Sequence, residues 1–201
     1  MKKDQMTTEP RFTSADLEAF PDDGKRYEII DGELYVSKQP HIYHQRFCTL
    51  VWLKLHQWSE ERGNGQAIVA PGLVFADDDD VAPDVVWLSS HRMAATVGPD
   101  GKLHAAPELI VEVLSPGSVN EKRDREAKLK LYSRLGVDEY WIVDWRRRNM
   151  QVFRRENARL VLSATLVESD TLTTPLLSGF ACRVLELFAG IPPDVPAPPV
   201  K

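Results

Sequence analysis

The feature that most constrains the fold is the stretch ELIVEVL at residues 108–114, which is almost continuously apolar. Such a run is typical of a central strand that is covered on both faces of a sheet. Glu112 lies in the middle of this run, and burying an unpaired carboxylate is costly. We therefore expect Glu112 to have a cation, a hydrogen-bond network or a raised pKa.

Asp84 presents a milder form of the same problem, because it opens a second apolar strand at 84–88, directly after Pro83. Carboxylates on neighbouring strands can converge on one hard cation through their oxygen atoms. The alternatives are structural: Asp84 caps a turn, and Glu112 pairs with an arginine.

A helix predicted over 120–135 carries a third charge on its inner side. Its inward stripe consists of Leu131, Tyr132 and Leu135. One turn back along this face lies Lys128, and one turn further Asp124. Lys128 is therefore expected to point toward the sheet, although a lysine can also extend its ammonium outward to water.

The remaining pattern predicts a mixed α/β sheet with helices on its faces, in the order helix, three strands, helix, strand. The expected elements are a short helix capped at Thr13-Ser14 and running to Phe20, a hairpin over 26–37 turning at Asp31-Gly32, a helix over 41–62 stopped by Gly63, strands at 67–76, 84–88, 108–114 and 139–144, a C-cap at Gly136, and an antiparallel extension formed by MQVFRR and RLVLSATL. The acidic run 77–80 is expected to be a solvated turn. One domain is expected over 12–190, with flexible tails at 1–11 and 191–201.

Several classes of protein lack support in the sequence. No apolar run approaches the ~20 residues that cross a bilayer, and the N-terminus has no apolar signal region. The two cysteines, Cys48 and Cys182, do not suggest a disulfide framework, so we expect a cytoplasmic location. Phosphate-binding GK[ST], GxGxxG, CxxC, HExxH and GxSxG motifs are missing from the sequence.

The net charge of −5 is unevenly distributed along the chain. Residues 121–159 hold 12 Lys and Arg against 7 Asp and Glu, so this segment is basic although the chain is acidic. The asymmetry permits a basic patch for nucleic acid, and it is equally compatible with scattered surface ion pairs.

Two inward acids and one inward lysine suit a particular chemistry. Mg²⁺ or Mn²⁺ held by Asp84 and Glu112 would polarise a phosphate oxygen and lower the pKa of a bound water. The ammonium of Lys128 would position that water or stabilise charge on the phosphoryl group. These residues therefore predict phosphodiester hydrolysis.

Longer motifs carry a family resemblance. They are RYEIIDGE at 26–33, APD at 82–84, VEVLSP at 111–116, Asp124, Lys128 and Tyr132, and GVDEYWIVD at 136–144. Together they resemble the Uma-two family of restriction endonucleases within the PD-(D/E)XK nuclease superfamily, from about Phe12 to Phe188. The resemblance implies a restriction-endonuclease-like core and a metal-dependent DNA endonuclease.

The resemblance also implies roles for individual residues. Asp84 and Glu112 would bind the metal, with the Val113 carbonyl as a further ligand. The superfamily lysine usually lies two residues after the second acid, where this chain has Leu114. Lys128 is expected to replace it, with Asp124 orienting Lys128 through an ion pair.

Four more positions match the family or flank its motif. Glu28 is a further candidate acid, and its alternative is a charge paired across the hairpin. His44 and Gln45 match a family dipeptide on the first helix, where a lone histidine is more often structural. Ser115 opens a segment whose backbone N–H groups could bind phosphate, although Ser118 or Asn120 could simply cap the following helix.

The sequence leaves two rival functions open. A chain with this fold could have lost cleavage and bind nucleic acid or a protein, as the leucine at position 114 and the overall acidity suggest. The acids could also form a purely structural buried network. For an active enzyme, DNA is the expected substrate, and cutting of both strands would favour a homodimer.

Overall fold

The structure is a computed structural model that describes residues 10–62 and 64–195. In chain order, its elements are α1 (Ser14–Leu17), β1 (Arg26–Ile30), β2 (Glu33–Ser37), α2 (Ile42–Arg62), β3 (Gly65–Val69), β4 (Leu73–Ala76), β5 (Asp79–Val81), β6 (Val85–Ser89), α3 (Ser90–Thr96), β7 (Leu109–Val113), α4 (Ser118–Lys122), a π-helical turn (Arg123–Ala127), α5 (Lys128–Leu135), β8 (Glu139–Asp144), β9 (Asn149–Glu156), β10 (Arg159–Val167), β11 (Thr171–Thr173), β12 (Ala181–Arg183) and α6 (Val184–Leu187). Gly63 and most of both predicted tails lie outside the described residues.

A six-stranded sheet with the order β10-β9-β8-β7-β6-β3 forms the centre. Strands β7 and β8 are parallel, and the other neighbours are antiparallel. The mixed sheet, the predicted order of core elements and the C-terminal antiparallel extension are therefore confirmed. The two faces of β7 follow the alternation of a strand: Val111 and Val113 pack in the core on the α2 side, and Ile110 packs in the core on the α5 side.

A second sheet, with the order β2-β1-β5-β4, contains the predicted hairpin. Asp31 and Gly32 both have positive φ, 50° and 75°, as a type I′ turn requires. Ile30 and Val81 of this sheet join the same core as Ile110 and Tyr132, so the hairpin is packed on the α5 side of the central sheet.

The prediction of one strand over 67–76 was wrong. The chain forms β3 in the central sheet and β4 in the second sheet, so it changes sheets between them. Ala70 has a positive φ of 48° and is followed by Pro71, which has no N–H to continue the ladder. The whole segment is apolar because both strands are packed against the protein core.

The prediction that the acidic run 77–80 is a solvated turn was wrong for its second half. Asp79 and Asp80 begin β5 and are buried. Arg134 forms an ion pair with Asp79, and Lys102 lies 3.2 Å from Asp80. Cations from distant segments therefore compensate these buried charges.

The second long helix begins at Ser118, with Gly117 in the N-cap position and no side-chain cap. The N-cap position is therefore held by Gly117 and not by Ser118 or Asn120. The Asn120 side chain donates to the Pro116 carbonyl. The helix ends at Gly136 with a positive φ of 90°, which confirms the predicted C-cap. Its middle contains the π-helical turn, which periodicity did not predict.

None of the helices within the described ranges is both long enough and apolar enough to cross a membrane.

Candidate active site

Asp84 and Glu112 lie side by side at one end of strands β6 and β7. Val85 is paired with Val111, so the antiparallel register extended by one residue places Asp84 opposite Glu112. The Val113 N–H donates to Asp84 Oδ2 over 2.8 Å, which fixes the aspartate against β7. The fold thus brings the two predicted carboxyl groups together.

Glu112 is buried and receives its hydrogen bonds on one oxygen. Lys128 Nζ donates to Glu112 Oε1 over 2.8 Å, and the Tyr132 hydroxyl donates to the same atom over 2.9 Å. Among the described residues, Oε2 receives no hydrogen bond. Burial raises the pKa of Glu112 to about 8; Lys128 opposes this shift and Asp84 adds to it. The expected cation is thus a lysine rather than a structural arginine.

Lys128 is completely buried and does not extend to water. Its ammonium lies 2.7 Å from Glu28 Oε1 and 2.8 Å from Glu112 Oε1. Burial alone would lower the pKa of Lys128, but Glu112 and Glu28 outweigh it, so the pKa is raised. The ammonium therefore stays charged between the carboxyl groups of Glu28 and Glu112, on the inward face that its helical position predicted.

Glu28 joins the same cluster from strand β1. The Ala82 N–H donates to Glu28 Oε1 over 3.0 Å, and Arg123 Nη1 lies 3.2 Å from Oε2. Burial opposes ionisation of this carboxyl, but Lys128 and Arg123 outweigh it and lower its pKa. The charge is therefore paired with cations of the second long helix, Lys128 and Arg123, rather than across the hairpin.

The π-helical turn places Arg123 and Asp124 against this cluster. Arg123 Nε donates to Asp124 Oδ1 over 2.8 Å, whereas Lys128 Nζ lies 4.0 Å from the same oxygen. Burial raises the pKa of Asp124, with Lys128 and Arg123 opposing the shift. Asp124 is thus within reach of Lys128, as expected, but its closest cation is Arg123.

Two further side chains hold Asp84. Arg26 Nη1 lies 3.2 Å from Oδ1, and His44 Nε2 lies 3.2 Å from Oδ2. Burial disfavours ionisation, but His44, Arg26 and the Val113 N–H outweigh it and lower the pKa of Asp84. Sequence reasoning missed Arg26, although the two-residue period of β1 places it on the same face as Glu28.

His44 also contacts Cys48 on the next turn of α2. The distance from Cys48 Sγ to His44 Nδ1 is 3.6 Å, so the histidine lies between the thiol and Asp84. Burial raises the pKa of the Cys48 thiol, and Asp84 and Glu112 add to the shift. Cys48 was not predicted as part of the site; its spacing of four residues from His44 was the available signal.

A cavity of about 370 Å³ opens beside Asp84. Its wall includes five of the predicted residues: Asp84, Val113, His44, Gln45 and Ser115. It also includes four basic side chains, Lys25, Arg26, Lys38 and Arg123. Glu112, Glu28 and Lys128 are not part of this wall and are buried next to it. The predicted set is therefore divided between a solvent-reachable part and a buried charge network.

The cluster contains more carboxyl groups than full cations. The carboxyl groups are those of Glu28, Asp84, Glu112 and Asp124, and the cations are Arg26, Arg123 and Lys128. Two adjacent carboxyl groups, one with an unused oxygen, are donors that Mg²⁺ or Mn²⁺ accepts. The residues present therefore fit a hard divalent cation at Asp84 and Glu112, with Val113 beside them.

The protein-family model Uma2, described as "Putative restriction endonuclease", matches residues 14–185. The chain belongs to the Uma2 family. The resemblance read from the motifs is thereby confirmed. A search of curated proteins finds no match.

The chain is also similar in structure to a solved protein from Anabaena variabilis, described as a putative nuclease belonging to DUF820. The TM-score is 0.69 at 15% sequence identity, and the match covers 89% of this chain and 98% of the other. This likeness confirms the restriction-endonuclease-like fold that was predicted for the Uma2 chain. The roles of individual site residues stay predictions.

Proposed function

We propose that this Uma2 chain is a divalent-metal-dependent endonuclease that hydrolyses DNA phosphodiester bonds. The observation that carries the proposal is the pairing of Asp84 with Glu112 at the ends of adjacent strands, beside a cavity. The hydrogen bonds that Glu112 receives from the described part of the chain reach Oε1 and leave Oε2 for a ligand. Membership of a family described as restriction endonucleases supports the same reaction.

Asp84 and Glu112, with the Val113 carbonyl, would hold the ion. When bound, Mg²⁺ or Mn²⁺ would supply Lewis-acid polarisation of the phosphate and a more acidic water. The Val113 N–H and His44 hold the Asp84 carboxylate in one orientation, so that little reorganisation is needed before binding.

Lys128 would assist the attacking water while fixing Glu112. An ammonium has three N–H donors, and two of them are directed at Glu28 and Glu112. The third donor would be directed at a water held beside Glu112, as the proposed role requires. Glu28 is proposed as the acid that holds Lys128 in this place, and Asp124, whose Oδ1 lies 4.0 Å from Lys128 Nζ, would help to orient the ammonium.

DNA would be bound through its phosphates at the basic wall of the cavity. Lys25 and Lys38 are exposed on this wall, and Arg26 and Arg123 line it from the charge cluster, where they are paired with acids. Contacts of this kind provide affinity without sequence discrimination, and they weaken as salt increases. A homodimer for double-strand cutting and a cytoplasmic location stay predictions.

A cleavage screen tests the proposal. The full chain is incubated with plasmid, linear, single-stranded and branched DNA in the presence of Mg²⁺ or Mn²⁺. We expect Asp84→Asn and Glu112→Gln to reduce cleavage on the order of 100-fold or more, because each removes a metal donor. Glu139→Gln, at another buried glutamate on β8, is the matched control and should retain cleavage. Unchanged cleavage in both site variants would contradict the proposed residues.

A second candidate function is nucleic-acid or protein binding without cleavage. It is favoured by the contacts of Asp84, whose two oxygens are already bonded to Arg26, His44 and the Val113 N–H. Calorimetric titration with Mn²⁺ separates the two functions. Absence of heat at millimolar Mn²⁺, together with retained DNA binding and no cleavage of any DNA form, would favour the binding function.

A further inference from the structure

His44, Cys48 and Asp84 bring three different ligand types to one buried point. His44 and Cys48 are one turn apart on the same face of α2, and Asp84 is the residue directly before β6. One ring nitrogen, the cysteine sulfur and one carboxylate oxygen lie within 4.8 Å of one another. All three residues are at most 5% exposed.

The spacing of these atoms approaches that of a tetrahedral metal site. Zinc binds nitrogen and oxygen at about 2.1 Å and sulfur at about 2.3 Å, which separates ligand atoms by roughly 3.3–3.6 Å. The measured contacts are 3.2 Å from His44 to Asp84 and 3.6 Å from His44 to Cys48. These contacts use opposite ring nitrogens, so binding of one ion requires the side chains to move until a single ring nitrogen faces both the sulfur and the carboxylate.

The donor chemistry of this set differs from that of the Asp84 and Glu112 pair. A thiolate and an imidazole favour Zn²⁺ and Co²⁺, whereas Mg²⁺ prefers oxygen ligands. His44 and Asp84 also line the cavity, while Cys48 is not part of its wall. A metal held by the three would therefore have its fourth position directed at the cavity, as in zinc sites that keep one position open.

We propose that His44, Cys48 and Asp84 form a binding site for one Zn²⁺-class transition-metal ion, with an open position facing the cavity. The site shares Asp84 with the proposed Mg²⁺ or Mn²⁺ pair, so the two kinds of ion compete for this carboxylate. It does not use Glu112 and does not depend on cleavage.

Titration of the full chain with Co²⁺ tests the site. Coordination of Co²⁺ by a thiolate produces a sulfur-to-metal charge-transfer band in the near ultraviolet, and an oxygen-only site does not. We expect this band to saturate at one Co²⁺ per chain, to disappear when Zn²⁺ is added, and to resist an excess of Mg²⁺. Glu112→Gln should retain the band, because Glu112 is not a ligand of this site.

Two cysteine variants provide the matched comparison. Cys48→Ser should abolish the band, whereas Cys182→Ser should retain it, since Cys182 is the other free buried cysteine and lies on β12. The proposal is overturned if the wild-type chain shows no band, if Cys48→Ser keeps it, or if Cys182→Ser loses it. A failed cleavage screen leaves these outcomes unaffected, so the two proposals can fail separately.

Discussion

Two buried glutamates on adjacent parallel strands show how differently this fold treats a carboxyl group. Glu112 is the fourth residue of β7, and Glu139 is the first residue of β8. The register pairs Leu109 with Glu139, so the two glutamates lie toward opposite ends of the parallel pair. Both side chains are about 1% exposed.

Their oxygens are used in different ways. Trp141 Nε1 donates to Glu139 Oε1 over 2.8 Å, and the Thr174 hydroxyl donates to Oε2 over 2.6 Å. Both oxygens of Glu139 are therefore bonded. At Glu112, by contrast, Lys128 and Tyr132 share one oxygen.

This difference separates a structural carboxyl group from one that is suited to a ligand. A buried carboxylate with both oxygens bonded has already replaced its water partners. One with an unused oxygen beside another carboxyl group retains a site for a cation, at a cost in stability of the metal-free protein. Burial alone would not distinguish the two glutamates.

The largest expected effect is the loss of stability when Lys128 is replaced by methionine. The variant leaves Glu28 and Glu112 without their common cation, and breaking a buried pair of this kind costs about 3–5 kcal/mol. Chemical denaturation of the metal-free chain measures the change. The control is Lys130→Met on the same helix, an exposed lysine 3.3 Å from Asp31, where about 0–1 kcal/mol is expected.

Adding Glu112→Gln to Lys128→Met should recover part of the lost stability, because it removes the buried carboxyl group that has lost its cation, whereas Glu28 keeps its contact with Arg123. If Lys128→Met costs no more than Lys130→Met, the ammonium does not hold the network together.

The network was predictable in part because its members break apolar patterns. Glu112 interrupts a continuous apolar strand, and Lys128 follows the inward stripe of a helix, so each carries a local signal of burial. Arg26 carries no such signal. It meets Asp84 across 58 residues of sequence, and only the packing of the hairpin on the central sheet brings them together.

The errors in the fold have the same physical origin. Asp79 and Asp80 were expected in water because the cations that permit their burial, Arg134 and Lys102, come from distant segments. The π-helical turn was missed because the helix was read with a uniform period of 3.6 residues. At 67–76 the continuous apolar pattern predicted a single strand, although Pro71-Gly72 indicates a break at which the chain can change sheets.

The rise in Tm on adding Mn²⁺ should differ between the Glu112→Gln and Glu139→Gln variants. This difference in stability is expected to be smaller than the effect of Lys128→Met. An ion that binds only the folded chain stabilises it by about 2.7 kcal/mol at 100 times its Kd. We expect a rise in Tm for the wild-type chain and for Glu139→Gln. We expect little or no rise for Glu112→Gln and Asp84→Asn, since each variant loses one of the two carboxylates proposed to bind the metal. Equal shifts in all four proteins would show that Mn²⁺ binds elsewhere.

The smallest expected effect is the change in metal-free stability on replacing each glutamate by glutamine. In Glu139→Gln an amide N–H₂ faces one of the two hydrogen-bond donors, Trp141 or Thr174, so one hydrogen bond is lost. The free energy of unfolding should therefore fall by about 1–2 kcal/mol. A chain of this size would then lose roughly 2–8 °C in Tm.

Glu112→Gln should behave in the opposite way. Its remaining carbonyl oxygen can still accept from Lys128 and Tyr132, and the amide N–H₂ takes the place of the oxygen that has no donor. The substitution also removes one carboxyl group from a cluster in which carboxyl groups outnumber the cations, so Tm should be unchanged or higher. Such a gain in stability is expected where a site is kept for function rather than for folding. A loss as large as that of Glu139→Gln would mean that Glu112, too, is a structural carboxyl group, and the contrast between the two glutamates would fail.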